Sequence, residues 1–264
     1  MVTFGGSRGG ERAAVRRAWS GRGAMAAALA CVLLVLSGCR GVSFRLYEYE
    51  EDVYLSLDGS ATVYVSGSTA ALDALRGFDL STDPVTPVDL ARVRALYTSP
   101  EAQVTQVTAS LRGGRRYVHV RLDVPDIRQL SRAAPFSWAR YEFHRAGPEY
   151  AYREQLGASA DKPVGDVGWT GQEMVAFRLH LPSVITFHNA GPDHLLRGNV
   201  LLWEQRLTDR LAGVPLDMQA RMQTQSILYR TLILFALMGA LVVLMFVALI
   251  WWVVRRPRPP AKTA

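Results

Sequence analysis

The side chains with most chemistry to offer are five histidines, His119, His144, His180, His188 and His194, and two cysteines, Cys31 and Cys39. A zinc site needs His, Cys or carboxylate ligands at short spacings, and these histidines are scattered. The nearest trio, His180, His188 and His194, is separated by eight and six residues. Even spacing keeps side chains on one face of a strand, so a shared site is one reading of the trio, and ordinary surface or strand histidines the plainer one. Arg112-Gly113-Gly114-Arg115-Arg116 reads as a charged hairpin tip, since no phosphate loop or Gly-x-Gly-x-x-Gly string accompanies it. Serine–histidine pairs meet only in space, which leaves a surface hydrolase as a third class of function. The expectation is a protein without catalytic residues, metal ligands or cofactor.

The elements that would position any such residue are dominated by two apolar segments. Thr231–Val254 is 24 residues long without an ionisable side chain. As a helix it rises roughly 36 Å, more than the roughly 30 Å of a bilayer's hydrocarbon core. Trp251 and Trp252 fit an aromatic belt at its far end, beside Arg255 and Arg256. Near the other terminus, Arg8, Arg12, Arg16, Arg17 and Arg22 precede the apolar run Ala26–Leu36, which has the length of a signal-peptide core and is short for a span. That run ends in Leu36-Ser37-Gly38-Cys39, which resembles the lipobox of bacterial lipoproteins. The resemblance implies cleavage between Gly38 and Cys39 and a diacylglyceryl group on the Cys39 thiol.

Charge follows the same division. The chain carries a net +7, but residues 1–39 hold +4 and residues 255–264 another +4, leaving 40–254 at −1. The basic surplus therefore belongs to membrane topology and not to a nucleic-acid partner. By the positive-inside rule both ends are cytoplasmic and the part between them lies outside. With Cys31 in the leader and Cys39 taken by lipid, no disulfide remains, so a domain of ordinary size must fold on its core alone. The predicted organisation is a signal peptide over 1–38, an extracytoplasmic domain over 39–225, a transmembrane helix over 231–254 and a basic tail over 255–264.

Within the domain the hydrophobic period is mostly two. Val53, Leu55 and Leu57 lead to Asp58-Gly59, and Ala61, Val63 and Val65 lead away, a hairpin pattern. Ser68 predicts the cap of a short helix through Phe78. Thr86-Pro87-Val88-Asp89 predicts a second helix through Tyr97, with proline in its first turn. A second hairpin turns at Gly113-Gly114, a brief helix covers Asp126–Arg132, and strands cover Ser137–Arg145 and Glu149–Gln155 around Gly147-Pro148. Residues 157–172 read as a long exposed loop carrying Trp169. Val175–Leu181, the stretch from Asn199 to Leu207, and Leu216–Met222 complete the strands. The predicted class is α+β: an antiparallel sheet of about seven to nine strands with two or three helices on one face, and a C-terminal transmembrane helix.

The lipobox, Asp58-Gly59-Ser60, Leu181-Pro182-Ser183-Val184-Ile185 with Asn189, Asn199-Val200-Leu201-Leu202-Trp203 and the helix with its basic tail together resemble the LppM type of bacterial lipoprotein domain. Ser183 stands where that family usually has glycine. The resemblance implies an envelope protein that binds lipid or glycolipid and carries over no catalytic residue. Tyr47, Tyr49, Tyr54, Tyr64, Tyr117, Tyr141, Phe143, Tyr150 and Tyr152 either line an amphiphile cavity or fill a core.

The expected protein is thus a non-catalytic lipoprotein of the inner membrane, with membrane lipid as its partner. The alternative is a scaffold or assembly factor that docks other envelope proteins through the exposed loop 157–172 or the helix face. The sequence leaves the oligomeric state open. With about three residues between Cys39 and the first strand and about eight between Met222 and Thr231, both domain ends are expected within about 30 Å of the bilayer, with one pole pressed to the headgroups.

Overall fold

The computed structural model describes residues 47–255. Cys39, Gly38 and the rest of the lipobox, together with Arg256, lie outside the described residues. The chain forms an α+β domain that runs into a long apolar helix. Its strands divide between two sheets. The first has seven strands in the order β3-β4-β2-β1-β7-β10-β9 and the second four in the order β5-β6-β11-β8. β1 (Tyr49–Leu55) and β2 (Ala61–Ser68) form the hairpin at Asp58-Gly59. α1 (Thr69–Arg76) and α2 (Leu90–Tyr97) follow, then the hairpin of β3 (Gln103–Arg112) and β4 (Arg115–Val124). β5 (Ala139–Ala146) and β6 (Glu149–Leu156) open the second sheet; β7 (Met174–His180) returns to the first and β8 (Ser183–His188) to the second. β9 (Leu195–Leu196), β10 (Val200–Arg206), the short α3 (Leu207–Leu211), β11 (Leu216–Ser226) and α4 (Ile227–Arg255) complete the chain.

Two features refine the predicted single antiparallel sheet. The strands are shared between two sheets, and β1 pairs in parallel with β7, Tyr54 opposite His180. A parallel pair needs a long crossover, here nearly the whole middle of the chain, so local periodicity carries no trace of it. The second helix begins at Leu90 and not at Pro87, because the Asp89 carboxylate accepts from the amides of Ala91 and Arg92, each at 3.0 Å, and so caps the helix itself. Ser68 caps α1 as predicted, accepting from Ala71 at 3.0 Å, and Gly77 ends it at φ 70°. Asp126 caps a 3-10 turn over Ile127–Arg132.

The inner face of the large sheet is covered in two halves. Val53, Phe177, Leu179 and Trp203 meet Tyr152, Met218 and Met222 of the small sheet, while Val63, Val65, Val120 and Leu122 meet Leu72, Leu75, Val93 and Phe136 from the helices and 3-10 turns. Each such buried side chain contributes roughly 1.5–3 kcal/mol. Tyr49, Tyr117, Tyr141, Phe143 and Tyr152 are buried. The gap that β1 and β7 share with β6 and β11 is too tight for a water molecule, so Tyr49, Tyr141, Phe143 and Tyr152 fill the layer and line no amphiphile cavity there, while Tyr117 is buried on the other side of the sheet with its hydroxyl on Glu48.

A charged cluster crosses this layer. Glu51 accepts from Tyr49 at 2.6 Å, from Tyr141 of the small sheet at 3.1 Å and from Arg76 of α1 at 3.3 Å. The Arg76 guanidinium lies 3.3 Å from the Trp138 ring centroid. Glu154, bonded by Tyr152 at 2.7 Å, is raised to about 8, first by burial and then by the Glu51 charge. Arg76→Met leaves Glu51 buried without its counter-ion and is expected to cost about 3–5 kcal/mol, read from chemical denaturation. For Glu154, the unfolded chain gives up the proton near 4.5 and the folded one near 8, so unfolding releases a proton between those values. Its contribution to stability falls as pH rises through that window and is flat above it. Glu154→Gln is therefore expected to flatten the fall in melting temperature between pH 5 and pH 8.

Candidate functional site

The outer face of the large sheet is where exposed aromatic and charged groups converge. Strand register places its side chains in rows. The first row reads Asp123, Thr62, Tyr54, His180, Val200, Leu196 across β4, β2, β1, β7, β10 and β9. The second reads Gln106, Arg121, Tyr64, Asp52, Arg178, Leu202, and the third Thr108, His119, Ser66, Glu50, Ala176, Glu204. Alternation of buried and exposed residues along β1 and β2 creates this face from the same strands that build the core.

Tyr54, 44% exposed, stacks on His180 with ring centroids 3.7 Å apart and planes 13° apart, and meets Tyr64 edge-on at 5.4 Å. Burial, and then the neighbouring Arg178 charge, lower His180 to about 4, so the ring is neutral at physiological pH. Arg178 donates to Glu50 at 3.0 Å and Asp52 at 3.2 Å. Burial raises the Asp52 carboxyl and Arg178 opposes the rise. Beside this row lies a cleft of about 360 Å³ lined by Tyr64, Gln106, Thr108, Arg112, His119 and Arg121, among others. Its rim joins one aromatic face to two guanidiniums, an amide and hydroxyls, a set suited to a phosphorylated or polyhydroxylated group.

His119 sits in this cleft with Ser66 Oγ 2.8 Å from Nδ1 and Ser110 Oγ 2.8 Å from Nε2. A hydroxyl thus lies within reach of a base. The group orienting His119 is a second serine rather than a carboxylate, and backbone amides around it belong to the β2–β4 ladder, leaving no pair aimed at an oxyanion. Sequence reading passed over this trio because its members come from three strands. The signal present was the even alternation that puts Ser66 and Tyr64 on the outer face.

The histidine trio does not come together. His180 stacks on Tyr54, His188 ends β8, and His194 bonds the Ala190 carbonyl. Among the described residues no group of three or more His, Cys, Asp or Glu converges. Loop 157–172 is strapped to the domain. Ala160 and Lys162 amides take the Leu75 and Ala74 carbonyls at 3.0 and 3.1 Å, capping α1, and Lys162 Nζ lies 3.0 Å from both Asp73 and Asp79. Trp169 donates at 3.2 Å to buried Glu48, which also receives Ser68, Tyr117 and Arg115. Arg115 and Arg116 of the hairpin tip bond Gly168 and Pro84 carbonyls. At the far end of α4, Trp251 and Trp252 are exposed and Arg255 lies over the Trp251 ring at 4.3 Å.

Comparison with known proteins adds a structural likeness. No protein-family profile matches the chain, and no curated protein matches it. The structure is similar to the NMR structure of the folded domain of LppM from Mycobacterium tuberculosis, at 12% identity and a TM-score of 0.39, covering 70% of this chain and 94% of that one. This is a weak structural link to the family that the sequence motifs resemble, and it carries no argument about ligand or activity.

Removing Arg178 tests the charge layout of the face. Arg178→Met leaves Glu50 and Asp52 facing each other half-buried, with an expected cost of about 1–3 kcal/mol at pH 7. The loss is expected to shrink at pH 4, where Asp52 takes up a proton, and denaturation midpoints at the two pH values read the difference.

Proposed function

We propose that this protein is a membrane-anchored, non-catalytic envelope lipoprotein whose open sheet face holds the polar headgroup of a lipid or glycolipid beside the bilayer. The observation that carries this reading is the cleft at Tyr64, rimmed by Arg112, Arg121, Gln106 and Thr108, all exposed on the outer face of the large sheet. A headgroup fits the site better than an acyl chain does, because the rim is charged and the layer between the sheets is filled. α4 supports the location: Thr231–Trp252 is long and apolar enough to cross a membrane. Lipidation at Cys39, with its processing at Gly38, and an outward-facing domain belong to the same proposal, and rest on the lipobox and the distribution of arginine.

The competing scaffold reading keeps an exposed loop 157–172, held to the domain through Ala160, Lys162 and Trp169, and the helix face as its docking surfaces. Native mass spectrometry of the full chain in detergent tests the proposal. Wild type is expected to carry a co-extracted phospholipid or glycolipid, and a Tyr64→Ala, Arg121→Gln double variant to lose about tenfold in occupancy, equivalent to about 1.4 kcal/mol. Both positions are at the surface, so melting temperature is expected to stay near that of wild type. A wild-type protein free of lipid, or a variant that retains it, overturns the headgroup reading. Stoichiometric capture of one protein by a photocrosslinker at Tyr64 supports the scaffold instead.

A further inference from the structure

Chain continuity fixes the depth of one end of the domain. β11 ends at Ser226 and α4 begins at Ile227, so no linker separates sheet from helix. The apolar span starts at Thr231, and the four residues 227–230 rise only about 6 Å. A headgroup layer is about 5–8 Å deep on each side of the hydrocarbon core. With α4 in a bilayer, the last residue of β11 lies at headgroup depth.

Three neighbours are held at that level. Ser183 at the start of β8 pairs with Ser226, and its hydroxyl donates to the Gln225 carbonyl at 2.9 Å. Asn199 Nδ2 donates to the Ser183 carbonyl at 2.8 Å, which ties the β9–β10 turn, Arg197-Gly198-Asn199, to the same point. Leu196 opposes Val200, the first residue of β10. Inter-strand steps of about 4.8 Å thus bring Leu196 within a few residues' breadth of the helix start.

The surface found there is apolar beside a cation. Leu195 is 47% exposed, Leu196 40% and Val184 38%. Arg197 at the turn is exposed too. Acidic residues of this end, Asp58 in the β1–β2 turn, Asp126 beside that turn and Asp123 on β4, lie toward the other edge of the sheet, with β1 already three strands from β9. Leu196 also ends the row containing Tyr54, His180 and Val200, whereas the next row away from the helix is charged, with Arg121, Asp52 and Arg178. Exposed leucines on an edge strand are an aggregation liability in water; a lipid interface removes it.

We propose that the β9–β10 edge, Leu195-Leu196-Arg197 together with Val184, is a membrane-contact surface that rests in the headgroup layer of the bilayer that α4 spans, with Arg197 on lipid phosphates. The partner is an anionic lipid surface. The inference rests on α4 as a spanning helix and does not require the Tyr64 cleft to be occupied. Burying the two leucines in the interface sets the tilt of the domain, so that the Val200–Leu196 end of the first row lies nearest the membrane and the row with Arg121, Asp52 and Arg178 above it.

The test uses the full chain with Cys31 and Cys39 replaced by serine, reconstituted into phosphatidylcholine vesicles containing phosphatidylglycerol. An environment-sensitive nitrobenzoxadiazole label is placed in turn at Leu196→Cys, at Leu195→Cys and, as the reference, at Leu111→Cys, which is 56% exposed at the opposite end of the sheet. Nitroxide-bearing lipid is expected to quench the label at 195 and 196 at least threefold more than at 111, with a blue-shifted emission. Equal quenching at all three positions overturns the inference. Quenching at 196 that appears only when a native lipid extract is added also overturns it, while leaving the headgroup reading of the cleft standing. Because Leu195 and Leu196 are both surface positions, one labelled variant serves if the other misfolds.

Discussion

The parallel ladder between β1 and β7 is the constraint on which the rest of the molecule depends. It joins Tyr49–Tyr54 to Val175–His180, segments separated by two hairpins, two helices and a strapped loop. On its inner side it brings Glu51 and Val53 against Phe177 and Leu179, and so seats the small sheet. On its outer side it brings Asp52 to Arg178 and Tyr54 to His180. Core and open face are two sides of one hydrogen-bonded seam, since alternate residues of each strand serve one or the other. The seam closes over the 3-10 turns, β5 and β6, which makes it a strongly non-local contact of this topology.

Direction along that seam also places the ends of the chain. β1 and β7 both run toward the end where Ser183 meets Ser226, so the first described residues, Tyr47 and Glu48, lie at the end away from α4. Glu48 is locked there by Ser68, Tyr117, Arg115 and Trp169. Counting about three residues from Cys39 to a first strand placed both attachments at one pole. In the fold the first described strand starts at Tyr49, and the chain enters the domain at the pole opposite the helix. The eight residue steps from Cys39 to Tyr47 reach roughly 26–29 Å at full extension, close to the roughly 23 Å length of a seven-residue strand.

Local elements were legible where local physics decides them. The hairpin at Asp58-Gly59 follows from alternation plus a turn dipeptide, and α1 follows from Ser68 as a cap and Gly77 as a stop. β8 and β9 were not seen, because Ser183–His188 alternates weakly and Leu195–Leu196 is two residues long; both are strands only because a partner supplies the ladder. Loop 157–172 reads as a long exposed loop by composition and is one, and its amides also complete the last turn of α1, a role that depends on where α1 packs. Of the site, the exposed tyrosines were visible as aromatics on strands. Their division into core rings and surface rings was not visible, because parity on a strand becomes inside or outside only once the covering layer is known.

The sequence alone determined what is set by composition and short-range pattern: an apolar helix of membrane-crossing length with arginines beyond it, and an α+β domain built on hairpins. Tertiary structure decided the division into two sheets, the filled layer between them, the Ser66–His119–Ser110 cluster and the charged cleft at Tyr64. The physical reason is range. Helix length, caps and turns are fixed by residues a few positions apart, whereas the outer face, and the side chains that meet on it, are fixed by ladders such as β2–β4, which brings Ser66 to His119, and β1–β7, which joins residues more than a hundred positions apart.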